Sequence, residues 1–284
     1  MLKLLPPLSN VAATGIATLA TELPGAGLHR LYFVLGGTTF TKAMIENIEI
    51  KIGERTFCDY SLTATQLDDT NTWRGRPDTA NYLSFYFGAP EMVDFHDQHV
   101  TDLDLSVLRN KDGSQATISV RANIVGATAP TLEIYADIYP PKSALKFDPN
   151  EIALVKALIP GVFTPSGAVV RQNFAVSLGK GGSAVVNEFW FNANLTSLLI
   201  EKNNVTLLDD VHTADLANFY TSRGKVTVPG MYVWSPTAEG FIGLAERTLM
   251  SDGKTAYPWQ HRVTTSAADV LTLVAEIVTP YGLL

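Results

Sequence analysis

The stretch Asp94-Phe95-His96-Asp97-Gln98-His99, with Asp102 just beyond, is the densest run of acid–base and metal-ligand side chains in the chain. On a strand, residues three apart point to opposite faces, so His96 and His99 could chelate together only from a loop. Zinc sites need three or four converging ligands, and no further His or Cys motif completes this set, so a solvated loop is expected. A metal-binding β-barrel enzyme of the cupin kind needs a His-x-His pair, and none occurs. Gly179-Lys180-Gly181-Gly182-Ser183 has the glycines of a phosphate loop, but a P-loop carries its lysine after the second glycine and runs into a helix. Here Val185-Val186-Asn187-Glu188-Phe189-Trp190 follows, a strand pattern, so the glycines predict a hairpin tip. The acidic pairs Asp68-Asp69 and Asp209-Asp210 could hold a structural calcium ion with loop carbonyls, although solvated or helix N-terminal carboxylates are the commoner explanation for Asp209-Asp210. No Gly-x-Ser-x-Gly elbow is present, nothing pairs the lone Cys58 with a histidine, and nothing nominates a pair of glycosidase carboxylates. Tyr257-Pro258-Trp259-Gln260-His261 and Trp234 could form a sugar-binding platform if exposed, but core or subunit interface is the simpler role. Catalytic, cofactor-binding and metal-ligating residues are therefore assigned to none.

The elements around these residues are strands. Ile48, Ile50 and Ile52 alternate with polar Asn47, Glu49 and Lys51; Leu83, Phe85 and Phe87 alternate with Tyr82, Ser84 and Tyr86. Leu103/Leu105/Val107, Ile118/Val120/Ala122/Ile124 and Leu132/Ile134/Ala136/Ile138 repeat the period of two that marks half-buried strands. Turn signals such as Asn110-Lys111-Asp112-Gly113 and Gly126-Ala127 separate them. Pro140-Pro141-Lys142 stops the pattern, because proline cannot donate to a β ladder. Strands resume at Ile152-Ala153-Leu154-Val155 and continue through Phe174/Val176/Leu178, Phe189/Phe191, Leu198-Leu199-Ile200 and Leu271/Leu273/Ala275/Ile277. This predicts an N-terminal domain over 1–140, a linker over 141–151 and a C-terminal domain over 152–284, each the size of one sandwich.

The two halves share an order. Ile48–Ile52, a turn at Gly53-Glu54 and a short strand precede a helical Ser61–Trp73, with Ser61 as N-cap, ending at Arg74-Gly75-Arg76. Leu198–Ile200, a turn at Asn203-Asn204 and Val205–Leu208 precede a helical Thr213–Tyr220, ending at Arg223-Gly224-Lys225. Ile138-Tyr139-Pro140 and Val278-Thr279-Pro280 close the halves alike. The reading is all-β: two tandem eight-stranded jelly rolls, a double jelly roll, with short helical excursions. An immunoglobulin sandwich rarely carries such a helix and would show its Cys–Trp–Cys pattern.

Composition narrows the role. Across 284 residues, 46% are hydrophobic and 17% charged, enough to bury a sizeable core and too apolar for disorder. A net charge of −7 without a basic patch repels phosphate backbones, so no direct nucleic-acid contact is expected. One cysteine permits no intrachain disulfide, so packing must hold the fold, as in a reducing cytoplasm. Prolines interrupt the apolar start Met1–Leu8 too early for a cleaved leader, and no apolar run is long enough for a membrane span.

Asn10-Val11-Ala12-Ala13, Glu22-Leu23-Pro24, Pro90-Glu91-Met92 with Val100-Thr101-Asp102-Leu103, and Val170-Arg171-Gln172-Asn173-Phe174 resemble the major capsid proteins of corticoviruses, tailless icosahedral bacteriophages with an internal membrane. The chain departs from that family in length and in its Pro140–Asn150 connector. The resemblance implies a structural coat protein of the virion, without enzyme activity. It implies upright jelly rolls in a homotrimeric capsomer of pseudo-sixfold outline, touching neighbouring capsomers, penton and minor capsid or membrane proteins. It admits a supporting calcium ion but carries no ligand positions across. A carbohydrate- or receptor-binding β-sandwich module is the alternative, and it would expose an aromatic platform. Met1–Leu8, an apolar octapeptide with two prolines, is expected to be pinned by a neighbouring subunit or to lie at the membrane-facing base.

Overall fold

In the computed structural model the chain forms eighteen strands, β1 to β18, and four short α-helices, with residues 1–110, 112–165, 167–174, 178, 183–250 and 255–284 described. It divides into two compact units, Met1–Leu158 with Pro280–Gly282 and Leu284, and Ile159–Thr279 with Leu283. The division falls inside β10, later than the 141–151 segment, which belongs to the first unit. Lys142 is the reason: its buried ammonium donates to the carbonyls of Val100 (2.9 Å), Glu151 (2.8 Å) and Leu154 (2.8 Å). The described part of Gly179–Ser183 is Ser183 alone; residues 179–182, on which the hairpin tip was expected, lie outside the described residues, as does Val176.

The first unit contains β1 (Leu2–Leu4), β2 (Gly15–Glu22), β3 (Gly27–Gly36), β4 (Ile45–Ile52), β5 (Arg55–Leu62), β6 (Tyr82–Tyr86), β7 (Leu103–Asp104), β8 (Thr117–Ile124) and β9 (Thr131–Tyr139). One sheet runs β1-β9-β3-β6, with β7 added beside β3; the other runs β2-β8-β4-β5. The chain alternates between the sheets, which is the jelly-roll weave. The second jelly roll has β10 (Leu154–Phe163), β11 (Val169–Phe174), β12 (Ala184–Phe191), β13 (Leu195–Lys202), β14 (Val205–His212), β15 (Met231–Trp234), β16 (Glu246–Arg247), β17 (Trp259–Thr265) and β18 (Leu271–Pro280). Its sheets run β10-β18-β12-β15, with β16 beside β12, and β11-β17-β13-β14. Strand for strand the two weaves are the same, eight strands each plus one short addition.

The alternating apolar residues form the cores. Ile48, Ile50, Ile52, Leu83, Ile118, Val120, Ile124 and Ile134 are fully buried, and Leu132 and Phe85 nearly so. Glu133 opposite them is exposed. The Leu103/Leu105/Val107 alternation is only partly a strand: β7 stops at Asp104, whose carboxylate accepts the Ser106 N–H at 3.0 Å and turns the chain, leaving Val107 outside. Strand structure does not resume at Ile152 either. Asp148 caps a single turn, α3 (Pro149–Ile152), before β10 begins.

Helices follow the matching strands. α1 (Ala64–Trp73) follows β5 and α4 (Thr213–Thr221) follows β14. The first starts later than Ser61 suggested. Thr63 is its cap, the side chain accepting from Gln66 N while Gln66 returns a bond to Thr63 N, a reciprocal pair that Ser61 inside β5 cannot form. Both helices close on a glycine in the left-handed region, Gly75 (φ 74) and Gly224 (φ 76), as the Arg-Gly repeat predicted.

Within the single chain the start of the Met1–Leu8 stretch is already held. Leu2–Leu4 pair with β9, Leu5 is buried, and its N–H bonds Ile134 O at 2.9 Å. Among the described residues no helix is long and apolar enough to cross a membrane.

Candidate functional site

The Asp94–His99 stretch is neither strand nor loop. It is a helical turn, α2 (Phe95–His99), capped by the Asp94 carboxylate on Asp97 N at 2.8 Å. The turn separates its histidines. His96 points outward, stacks on Phe147 and bonds Glu151 at 3.2 Å. Partial burial lowers its proton affinity, but bonds to Glu151 and Asp97 outweigh that and raise it. His99 points inward, where its Nδ1 meets Asp102 Oδ2 at 2.7 Å. The other carboxylate oxygen meets Nδ1 of His29 on β3 at 2.8 Å. Asp102 thus joins the two imidazoles through its two carboxylate oxygens.

His29 escaped sequence reading because it lies 73 positions from Asp102. Its one signal was a histidine inside the apolar run of β3. All three side chains are buried, at 8% (His29), 5% (His99) and 3% (Asp102) exposure. The two rings lie 4.8 Å apart and His99 packs on Tyr139. The cluster clamps β3 to the segment after α2, and beside it lies a shallow polar pocket of about 230 Å³ reaching Arg30, Tyr86 and Gln98. Among the described residues, the histidine side-chain bonds go to carboxylates. Cys58 is fully buried, and burial pushes its thiol up, away from the reactive thiolate.

The acidic pairs sit on different kinds of element, the first on α1 and the second on β14, each with a basic side chain beside it. Asp68 on α1 takes Lys42 Nζ at 2.7 Å; Asp210 on β14 takes Arg171 at 2.9 Å and the Ser197 hydroxyl at 2.7 Å. The bonds from Ser197 and Arg171 hold the Asp210 carboxyl below the ordinary range. Asp69 is pushed up to about 6, first by burial and then by the neighbouring Asp68 charge. An acid held above its unfolded value costs stability once ionised, and the cost is relieved as pH falls from 6 toward 4. Asp69→Asn is therefore expected to stabilise the protein by about 1 kcal/mol at pH 7, after discounting for partial exposure, and by nothing below pH 4. Denaturant midpoints at the two pH values test this; an equal gain at both would remove the charge explanation.

The aromatic residues are mostly internal. Trp73, Trp190 and Trp234 are buried, and Trp259, partly covered, stacks on His261. His261 is itself buried against Glu188 at 2.9 Å, and Lys202 covers the Tyr257 ring. Among the described residues no tryptophan is exposed.

Two tandem jelly rolls in one chain place the protein in an architecture that viral capsid proteins use. The structure of the major capsid protein P2 from bacteriophage PM2 matches at TM-score 0.80 and 17% identity over 99% of this chain and 97% of that one. The PBCV-1 capsid matches at 0.56 and 12% over 97% and 92% of the two chains, and PBCV-1 VP54 at 0.57 and 11% over 100% and 95%. Such identities establish the fold. Sequence adds a match of its own: residues 2–139, a little under half of the chain, match the model of the viral coat protein P2 N-terminal domain. No curated protein matches the chain by sequence.

Proposed function

We propose that this protein is the major capsid subunit of an icosahedral, membrane-containing phage, built into the shell as a homotrimer with no catalytic step. The observation that carries the reading is the repeated weave: one chain supplies two eight-stranded jelly rolls of the same topology. Three chains then supply six similar wedges, which suit a shell position with six neighbours. Closed cyclic symmetry stops the contact within the trimer from growing into filaments. Among the described residues sixteen large apolar side chains stay exposed, Leu2, Leu4, Val205 and Phe219 among them, and lateral contacts of a permanent assembly would cover such residues. On this reading the neighbours are further capsomers, penton and minor capsid or membrane proteins, and synthesis takes place in the host bacterial cytoplasm.

Size-exclusion chromatography with light scattering, at micromolar protein, tests the trimer. A mass three times that of one chain is expected. The mass of a single chain, unchanged by added calcium, would defeat the capsomer reading.

A further inference from the structure

The two jelly rolls finish one sheet edge differently. In the first unit β5 is the last strand of its own sheet, and its outer side is met by Leu158 of β10, paired in parallel with Cys58. Phe57 and Cys58 are fully buried there. In the second jelly roll β14 holds the same place, last in β11-β17-β13-β14 and running directly into its helix as β5 does. The constant offset of 149 positions that carries Leu67 onto Leu216 puts Leu207 where Cys58 stands and Thr206 where Phe57 stands. Yet no strand meets the outer side of β14 among the described residues. Val205 and Thr206 are exposed, and Leu207, Leu208 and Val211 are only half-covered. An open edge of this kind, with free backbone donors and acceptors and apolar side chains, is a template for another strand.

We propose that the edge of β14 is filled by β1, Leu2–Leu4, of a second copy of this chain, running parallel to it. β1 is the strand of the right kind. It stands first in β1-β9-β3-β6 as β10 stands first in β10-β18-β12-β15, each beside the last strand of its weave. The strand type that meets β5 is thus the type to which β1 belongs. The outer side of β1 is also open, and its three side chains are exposed, Leu2 at 54% and Leu4 at 53%. The chemistry matches. The leucines face an apolar groove of about 430 Å³ lined by Leu207, Leu208, Val211, Leu216 and Phe219. Lys3 between them has the charge to meet Asp209, exposed on β14.

Each copy then offers one β1 and one β14, a head-to-tail contact that repeats around an axis and closes as a ring when the rotation allows. Closure at three rests on the trimer reading above; the strand pairing itself does not.

The test is Leu207→Cys combined in turn with Leu2→Cys, Lys3→Cys or Leu4→Cys in the full chain, oxidised mildly and run on a non-reducing gel. Neighbouring strands bring Cα atoms within disulfide reach, and Cys58 is buried and out of play. At least one pair is expected to give covalent dimers and trimers, while each single variant stays at one-chain mass. No linked product from any pair, in protein that light scattering finds trimeric, would overturn the β1–β14 contact and leave the trimer standing. A disulfide within one chain would overturn it too, because β1 would then reach its own β14. One-chain mass in solution would overturn both. Slow hydrogen exchange at Val205–Val211 amides in the trimer, lost when residues 2–4 are replaced by glycine, is the second expected result.

Discussion

Lys142→Ala is expected to lower the unfolding free energy by about 3–4 kcal/mol, through a cavity and the loss of three buried donors at once. The side chain is 1% exposed and its Nζ serves Val100, Glu151 and Leu154. Lys142→Met also removes the buried cation but keeps the volume, so it should cost less than alanine, which leaves a cavity. Burial, partly offset by Asp102, Asp104 and Glu151, brings the amine down to about 8 from 10.5. The sign follows from proton counting. Between pH 8 and 10.5 the unfolded chain holds the proton and the folded chain does not, so this group makes stability rise with pH across that window, by about 3 kcal/mol. Neither variant should show that rise. Urea unfolding at pH 7, 9 and 10.5 checks both parts; parallel pH curves for wild type and Lys142→Met would show that the amine is not the titrating group.

Gly88→Ala should be as damaging for a different reason. A Cβ at position 88 would overlap Asp102 Oδ1 and the Cε1 and Nδ1 atoms of His29. Those atoms are neither at a flexible tip nor near solvent. They are the bonded side of the buried clamp, and the Gly88 carbonyl is meanwhile held by Lys156 Nζ. Overpacking alone costs about 1–3 kcal/mol, and parting a buried carboxylate from an imidazole adds about 3 kcal/mol more where the charge is left alone. A loss of about 4 kcal/mol is expected, read as a fall in the denaturant midpoint. A double-mutant cycle gives the sharper result. His29→Ala removes the obstructed ring, so the two substitutions together should cost clearly less than their sum. Strict additivity would mean that the glycine is needed for something other than this ring.

Much of the fold was legible from period-two alternation, because one face of a jelly-roll strand is buried and the other wet. The β8 residues Ile118, Val120, Ala122 and Ile124 behave as read. The shared order of strand, turn, strand, helix, Arg-Gly placed α1 and α4 in corresponding connections, since a left-handed glycine cap is a local requirement that sequence records. Legibility failed where a local signal had two solutions. Ser61 and Thr63 both can cap, and only Gln66 three residues after Thr63 decides between them. Pro140-Pro141 marked a true end of a strand, yet the chain beyond it stays with the first unit because Lys142 is bonded there. The repeated arginines have different fates as well: Arg74 is buried beside Glu91, and Arg223 pairs with Glu239 near the surface.

The sequence by itself determined the class of fold, its duplication, the helical excursions and the absence of a catalytic motif, because each of these is written in spacing over a few residues. Which ionisable groups meet was decided only by tertiary structure. His29 and His99 come to share Asp102 because β3 and the turn after α2 face the same buried space, and no periodicity in a single strand encodes its neighbour across a sandwich. The contrast between β5 and β14 is of the same kind. Both read as short strands before a helix, and only the packed structure reveals that one edge is met and the other is open.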